Sequence, residues 1–172
     1  MRAVIAEDSV LLREGVAGLL RAADFDVVGC CDTADDLMLK VRSYAPDVAI
    51  VDIRLPPTHQ DEGLRAALEI RAKHPSVGVL VLSQYLEVGL ALKLFTHTAA
   101  GAGYLLKDRI SEVAEFTSAV RRIAEGGSAI DPDHRLDARL ATPRRRSACG
   151  VDAPRARGAR ADGGGAVKSG HR

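Results

Sequence analysis

Three acidic residues stand immediately after short apolar runs. Glu7 and Asp8 follow Val4 to Ala6, and Asp52 follows Val48 to Val51. Two further polar residues stand in the same relation: Ser83 follows Val77 to Leu82, and Lys107 follows Ala102 to Leu106. If folding brings these ends together, three converging carboxylates repel one another unless a cation lies between them. Magnesium suits such a site, because it takes oxygen ligands, needs few protein carboxylates and keeps positions for water and a phosphoryl oxygen. Lys107 adds a mobile positive charge for a phosphate or acyl phosphate, and the Ser83 hydroxyl can donate to another phosphoryl oxygen. A carboxylate can itself be the nucleophile of phosphoryl transfer, and Asp52, alone at its run's end, is the candidate.

The elements that must position these residues follow from the spacing. The five apolar runs (Val4 to Ala6, Val27 to Cys31, Val48 to Val51, Val77 to Leu82, Ala102 to Leu106) are too short for helices and rich in Val, Ile and Leu, so each reads as a parallel strand buried on both faces. Helix-period segments lie between them. Leu12, Val16, Leu19 and Leu20 form one stripe; Thr33 with Asp36 predicts a capping box; Ile110, Val113, Thr117, Val120 and Ile123 predict the buried stripe of the last helix, with Ser111 as its cap and Gly126-Gly127 as its stop. Strand and helix alternating five times predict an α/β fold, a doubly wound five-stranded parallel sheet of flavodoxin-like order 2-1-3-4-5. Ligands of such sheets bind outside the carboxyl ends of the strands, where the four polar ends fall.

The stretches VIAEDSVLLREGV, PDVAIVDIRLPPTHQDEGL, VLVLSQY and GYLLKD, in that order and spacing over about the first 125 residues, resemble the receiver domain of bacterial two-component response regulators, within it the NarL/FixJ type. The resemblance implies that Asp52 accepts phosphate from a sensor histidine kinase. It implies that Glu7, Asp8, Asp52 and the Arg54 backbone carbonyl hold Mg2+, that Lys107 and Ser83 bind the phosphoryl group, and that Tyr104 is the aromatic switch. Asp108 stands where many receivers have a proline, so no cis-proline is expected there. The implied protein is a phosphorylation-controlled switch of a transcriptional regulator, with a homodimer through the receiver as a possible assembly. A stand-alone receiver or phosphate sink is the alternative.

Composition separates two regions. Residues 1 to 132 hold 14 basic and 19 acidic residues, whereas 133 to 172 hold 10 and 4. From Thr142 onward there is no Leu, Ile, Met, Phe, Tyr or Trp, and 19 of 31 residues are Arg, Gly or Ala. The reading is therefore a receiver over 1–125, a linker with a short helix over 126–141, and a disordered basic tail over 142–172. That tail lacks the apolar periodicity of a helix-turn-helix, so no sequence-specific DNA binding is expected of it. The resemblance implies a LuxR-type DNA-binding domain at this point, opening with something like LTPREREVLALMAEGRSN. One permitted back-translation of Val151 to Arg172, read one base later, gives that string, so the tail reads as an out-of-frame remnant of such a domain.

Other classes are disfavoured. A haloacid-dehalogenase-like phosphatase wants a second Asp two residues after its nucleophile, where this chain has Arg54. A flavin binder needs a Ser/Thr/Gly-rich loop after the first strand, and EDSVLLREG is not one. The three Cys lack metal-ligand spacing, and Cys30 and Cys31 read as small buried hydrophobes. The five His show no i, i+4 pairing and read as surface or ordinary packing residues. With no run of about 18 apolar residues and no leader pattern, a cytoplasmic protein without membrane contact is expected.

Overall fold

The computed structural model describes residues 1–130 apart from Leu86 and His97, with the backbone alone at Val88, Leu90 and Ala91. The expected linker helix over 132–141 and the basic tail over 142–172 lie outside the described residues. The elements are β1 Arg2–Ala6, α1 Val10–Ala22, β2 Asp26–Cys31, α2 Ala34–Tyr44, β3 Val48–Asp52, α3 Glu62–Lys73, β4 Gly78–Ser83, α4 Val88–Phe95, β5 Ala102–Leu106, a 3-10 turn Lys107–Ser111, α5 Val113–Ala124 and β6 Ser128–Ile130. All five apolar runs are strands. They form a parallel sheet of order β2-β1-β3-β4-β5-β6 with helices on both faces.

The sixth strand corrects the expectation of five. It pairs in parallel with β5 inside the segment expected to be linker, Gly103 opposite Ala129. Three residues, of which only Ala129 is buried, leave no apolar run for periodicity to detect.

Alternation along each central strand explains the two cores. Val4, Ala6, Ala49, Val51, Val79 and Val81 pack against Leu37, Val41, Leu64 and Ile70 of α2 and α3. Ala3, Ile5, Val48, Ile50, Leu80 and Leu82 point the other way, toward Val16 and Leu20 of α1 and Phe116, Val120 and Ile123 of α5. Each fully buried Ile or Leu stabilises the fold by about 1.5–3 kcal/mol, so both faces must stay apolar. Polar chemistry is confined to the strand ends.

Thr33 caps α2 as expected, accepting from the Asp36 amide at 3.3 Å, and Ser9 caps α1 through the Leu12 amide. Ser111 does not cap α5: its hydroxyl donates to the Asp108 carbonyl, and the helix starts after Glu112 with no side-chain cap. Of the stripe expected for the last helix, Ile110, Val120 and Ile123 are buried and Thr117 is half-buried, but Val113 is exposed and Phe116 and Ala119 join the buried face of α5. Ile110 belongs to the 3-10 turn, whose three residues per turn break phase with the helix that follows.

Candidate functional site

Register brings the strand ends level. Ala6 lies opposite Val51, Asp52 opposite Leu82, and Ser83 opposite Leu106, so Glu7, Asp52, Ser83 and Lys107 reach the same carboxyl edge of adjacent strands. Glu7, Asp52 and Ser83 are buried there, and Asp8 is half-buried. Oxygens of Glu7, Asp8 and Asp52 lie within 4.8 Å of one another. A cavity of about 220 Å³ opens beside them, lined by Asp8, Asp52, Arg54, Ser83 and Lys107, together with Ile53, His59 and Gln84.

Lys107 neutralises part of this edge. Its Nζ lies 2.9 Å from Glu7 Oε2 and 3.1 Å from Asp52 Oδ2, and donates to Glu7 Oε1 at 3.1 Å. Burial lowers the lysine's pKa, but the Glu7 hydrogen bond and the Asp52 charge outweigh it, so the net shift is upward and the ammonium persists. Glu7 is pushed up from the usual carboxylate range by burial, with the Asp52 charge adding to it and the Lys107 hydrogen bond opposing it. Its Oε2, though close to the ammonium, accepts no aligned hydrogen bond, the one such buried side-chain atom among the described residues. Two pinning contacts fix the residue: Arg13 donates to the Glu7 carbonyl at 2.7 Å, and the Ser9 amide to Glu7 Oε1 at 3.2 Å. Three carboxylates gathered at one edge and only partly neutralised by Lys107 fit a small divalent cation such as Mg2+.

Close packing aligns the loop after β3. The Gly63 amide donates to the Ile53 carbonyl at 2.9 Å, and a Cβ at Gly63 would lie 1.7 Å from the Asp52 carbonyl oxygen. Only glycine lets α3 come this near. Arg54 lines the cavity, but its guanidinium turns outward to Glu87 at 2.9 Å, joining the loops after β3 and β4.

Ser83 and Tyr104 share an acceptor. Ser83 Oγ donates to the Tyr85 carbonyl at 2.6 Å and the Tyr104 hydroxyl donates to the same oxygen at 3.0 Å. The Glu87 amide donates to the Tyr104 hydroxyl at 3.2 Å. Tyr104 is fully buried, opposite Val81 in the sheet. The residues singled out from the sequence thus gather at one edge, with Tyr104 one layer deeper and connected through Tyr85.

Three participants were not anticipated. His59, taken for an ordinary surface histidine, lines the cavity; Glu87 holds Arg54; and Tyr85 offers its carbonyl to both hydroxyls. Each lies in a loop, where no period reports position. The only hint for His59 is its place seven residues after Asp52.

Comparison with known proteins places the chain in a family. The signal receiver domain of the putative response regulator NarL from Mycobacterium tuberculosis is similar at 31% identity and a TM-score of 0.63, over 73% of this chain and 96% of that one. Among full-length relatives, the transcriptional regulatory protein DegU of Brevibacillus brevis is 32% identical over 75% of this chain and 52% of its own length. The oxygen regulatory protein NreC of Staphylococcus carnosus is 32% identical over 77% and 58%. The chain spans little more than half the length of these relatives. Residues 3–121 match the response regulator receiver domain, and the chain belongs to that family.

Proposed function

We propose that this domain accepts a phosphoryl group on Asp52 from a phosphohistidine of a sensor kinase and acts as a signalling switch. The observation that carries the proposal is the Lys107 ammonium held 3.1 Å from Asp52 within the acidic edge. An Asp52 oxygen attacks phosphorus, the P–N bond breaks, and the imidazole leaves with the electron pair and takes up a proton; water later cleaves the acyl phosphate. Glu7, Asp8, Asp52 and the Arg54 carbonyl would hold Mg2+, which supplies charge neutralisation to the phosphoryl oxygens.

The acyl phosphate carries about two negative charges where the Asp52 carboxylate carried one, and it adds three acceptor oxygens. Lys107 then exchanges its carboxylate partners for phosphoryl oxygen, and Ser83 turns from the Tyr85 carbonyl to another. Tyr104 is left as that carbonyl's hydroxyl partner. The loop after β4 thereby moves with the Tyr104 ring, and the face of α4, β5 and α5 changes shape. The geometry supports promotion of self-phosphorylation and dephosphorylation by these residues rather than turnover of a separate substrate.

The setting follows from this reading: a cytoplasmic kinase partner, transcriptional control as the output, and a homodimer through the receiver. No helix among the described residues is long and apolar enough to cross a membrane. The receiver is taken to run through β6 at Ser128–Ile130 rather than to end at 125, followed by a linker and an out-of-frame remnant with no specific DNA binding, and the nucleotide sequence of the gene checks that remnant. Without such an output the receiver would serve as a stand-alone element or phosphate sink.

The test uses a small phosphodonor with magnesium. Wild type should gain one acid-labile phosphoryl group by mass spectrometry, and Asp52→Asn, equal in size but not nucleophilic, should gain none while keeping its fold. Equal incorporation in the mutant sinks the assignment.

A further inference from the structure

The cavity beside Asp52 contains a nitrogen donor for which the phosphoryl chemistry has no use. His59 Nδ1 lies 3.5 Å from Asp8 Oδ2 and 3.4 Å from the Arg54 carbonyl oxygen. Both separations exceed the roughly 3.2 Å limit of a good hydrogen bond. They suit two donors sharing an ion, since ligands about 2.1 Å from one metal lie about 3.0 Å apart at a right angle and about 3.4 Å apart at a tetrahedral angle. Both oxygens that the imidazole faces belong to the proposed cation site.

The loop is built to hold His59 in this position. Its φ of 53° lies in the left-handed region, which histidine enters more readily than most residues with a side chain. Glu62, buried at the start of α3, ties down the loop on either side. Its carboxylate accepts from the Thr58 amide at 3.2 Å, from the Thr58 hydroxyl, and from the Gln60 amide at 2.9 Å, so the residues on either side of His59 are tied to one anchor. The His59 amide itself donates to the Leu55 carbonyl at 3.1 Å. A histidine that served only as solvated surface needs no such bracket.

We infer that His59 supplies an imidazole nitrogen to the cation site of Glu7, Asp8, Asp52 and the Arg54 carbonyl, making that site favour manganese(II) over magnesium. The inference rests on the cation site proposed above. Manganese(II) shares magnesium's preference for oxygen donors and is the weakest imidazole binder of its row, but it accepts an imidazole nitrogen more readily than magnesium does, so one nitrogen among oxygens shifts the preference without closing the site to magnesium. The competing explanation is an imidazolium–carboxylate pair with Asp8, which would oppose every cation alike.

Manganese(II) and magnesium titrations of the full chain and His59→Ala, at about pH 8, separate these cases. Pulsed electron paramagnetic resonance of the manganese-loaded protein reads nitrogen ligation directly. Wild type should show nitrogen-14 modulation that His59→Ala lacks. Manganese affinity should fall about tenfold in the variant, while magnesium affinity stays within about twofold. Bound manganese without nitrogen modulation overturns the inference, as does an equal fall for both ions. A rise for both ions in His59→Ala overturns it in favour of the ion pair. Failure of wild type to bind either ion removes the cation site itself, a different result from binding without preference.

Discussion

Gly63→Ala tests whether close approach of α3 to the end of β3 builds the site. The added methyl would stand 1.7 Å from the Asp52 carbonyl oxygen, 2.8 Å from its carbon and 3.0 Å from the Ile53 carbonyl oxygen. All three are backbone atoms that cannot swing aside, so the first turn of α3 must retreat by about 1.5 Å to restore an ordinary contact. Overpacking of this kind costs about 1–3 kcal/mol, and stretching the Gly63-to-Ile53 hydrogen bond adds about 1 kcal/mol. Alanine's better helix propensity returns at most about 1 kcal/mol. The balance is a loss of about 1–3 kcal/mol, a large part of the 5–15 kcal/mol typical of a domain. Gly18→Ala is the control: within α1, nothing lies within 4 Å of the added methyl, and a gain of about 0.5–1 kcal/mol is expected. Urea denaturation measures both as midpoint shifts at constant slope. Because the retreat carries the Arg54 carbonyl with it, magnesium affinity should fall in Gly63→Ala and not in Gly18→Ala. A Gly63→Ala protein within about 0.5 kcal/mol of wild type, with unchanged magnesium binding, would refute the reasoning.

Two further perturbations probe the charges. Lys107→Ala should still be phosphorylated but show smaller phosphate-dependent amide shifts in α4 and β5 by NMR; without cation it should lose about 1–3 kcal/mol, as Glu7 and Asp52 then face each other unpaired, with part of the loss recovered in magnesium. Full-sized shifts would remove the lysine from the coupling. Glu62 is held at about 2, against an ordinary 4.5, chiefly by the Thr58 hydroxyl. Its ionised form therefore stabilises the fold above about pH 4.5, and that contribution is lost as pH falls toward 2, where the unfolded chain has already taken up the proton. Glu62→Gln should flatten the melting temperature between those limits, and an unchanged acid limb would show that the bracket contributes nothing.

The sheet and the residues at its ends were legible because they depend on burial. A strand buried on both faces must be an unbroken apolar run, so its first polar residue marks the edge where it leaves the core; Glu7, Asp52, Ser83 and Lys107 all announce themselves in this way. Sheet order then makes neighbours of residues up to 100 positions apart, as Lys107 and Glu7 are. The same reasoning fails where burial is weak. β6 is three residues at an edge, and the phase of α5 depends on a 3-10 turn whose start is set by the Lys107 corner rather than by any apolar spacing.

The loop over residues 53–61 was opaque for a different reason: its course is dictated by hydrogen bonds to one carboxylate, Glu62, and by a contact distance at Gly63. Neither leaves a period in the sequence. Yet that loop decides what surrounds Asp52, the proposed phosphoacceptor, since it brings Arg54 and His59 to the cavity and sends the Arg54 guanidinium to Glu87. On the proposed reading, the sheet thus presents the carboxylates and lysine, while the adjoining loop adjusts what else faces the cation they would hold. In this chain, Glu62 is the residue on which that loop depends: a carboxylate that touches neither the cation site nor the phosphoacceptor but fixes the backbone that faces them.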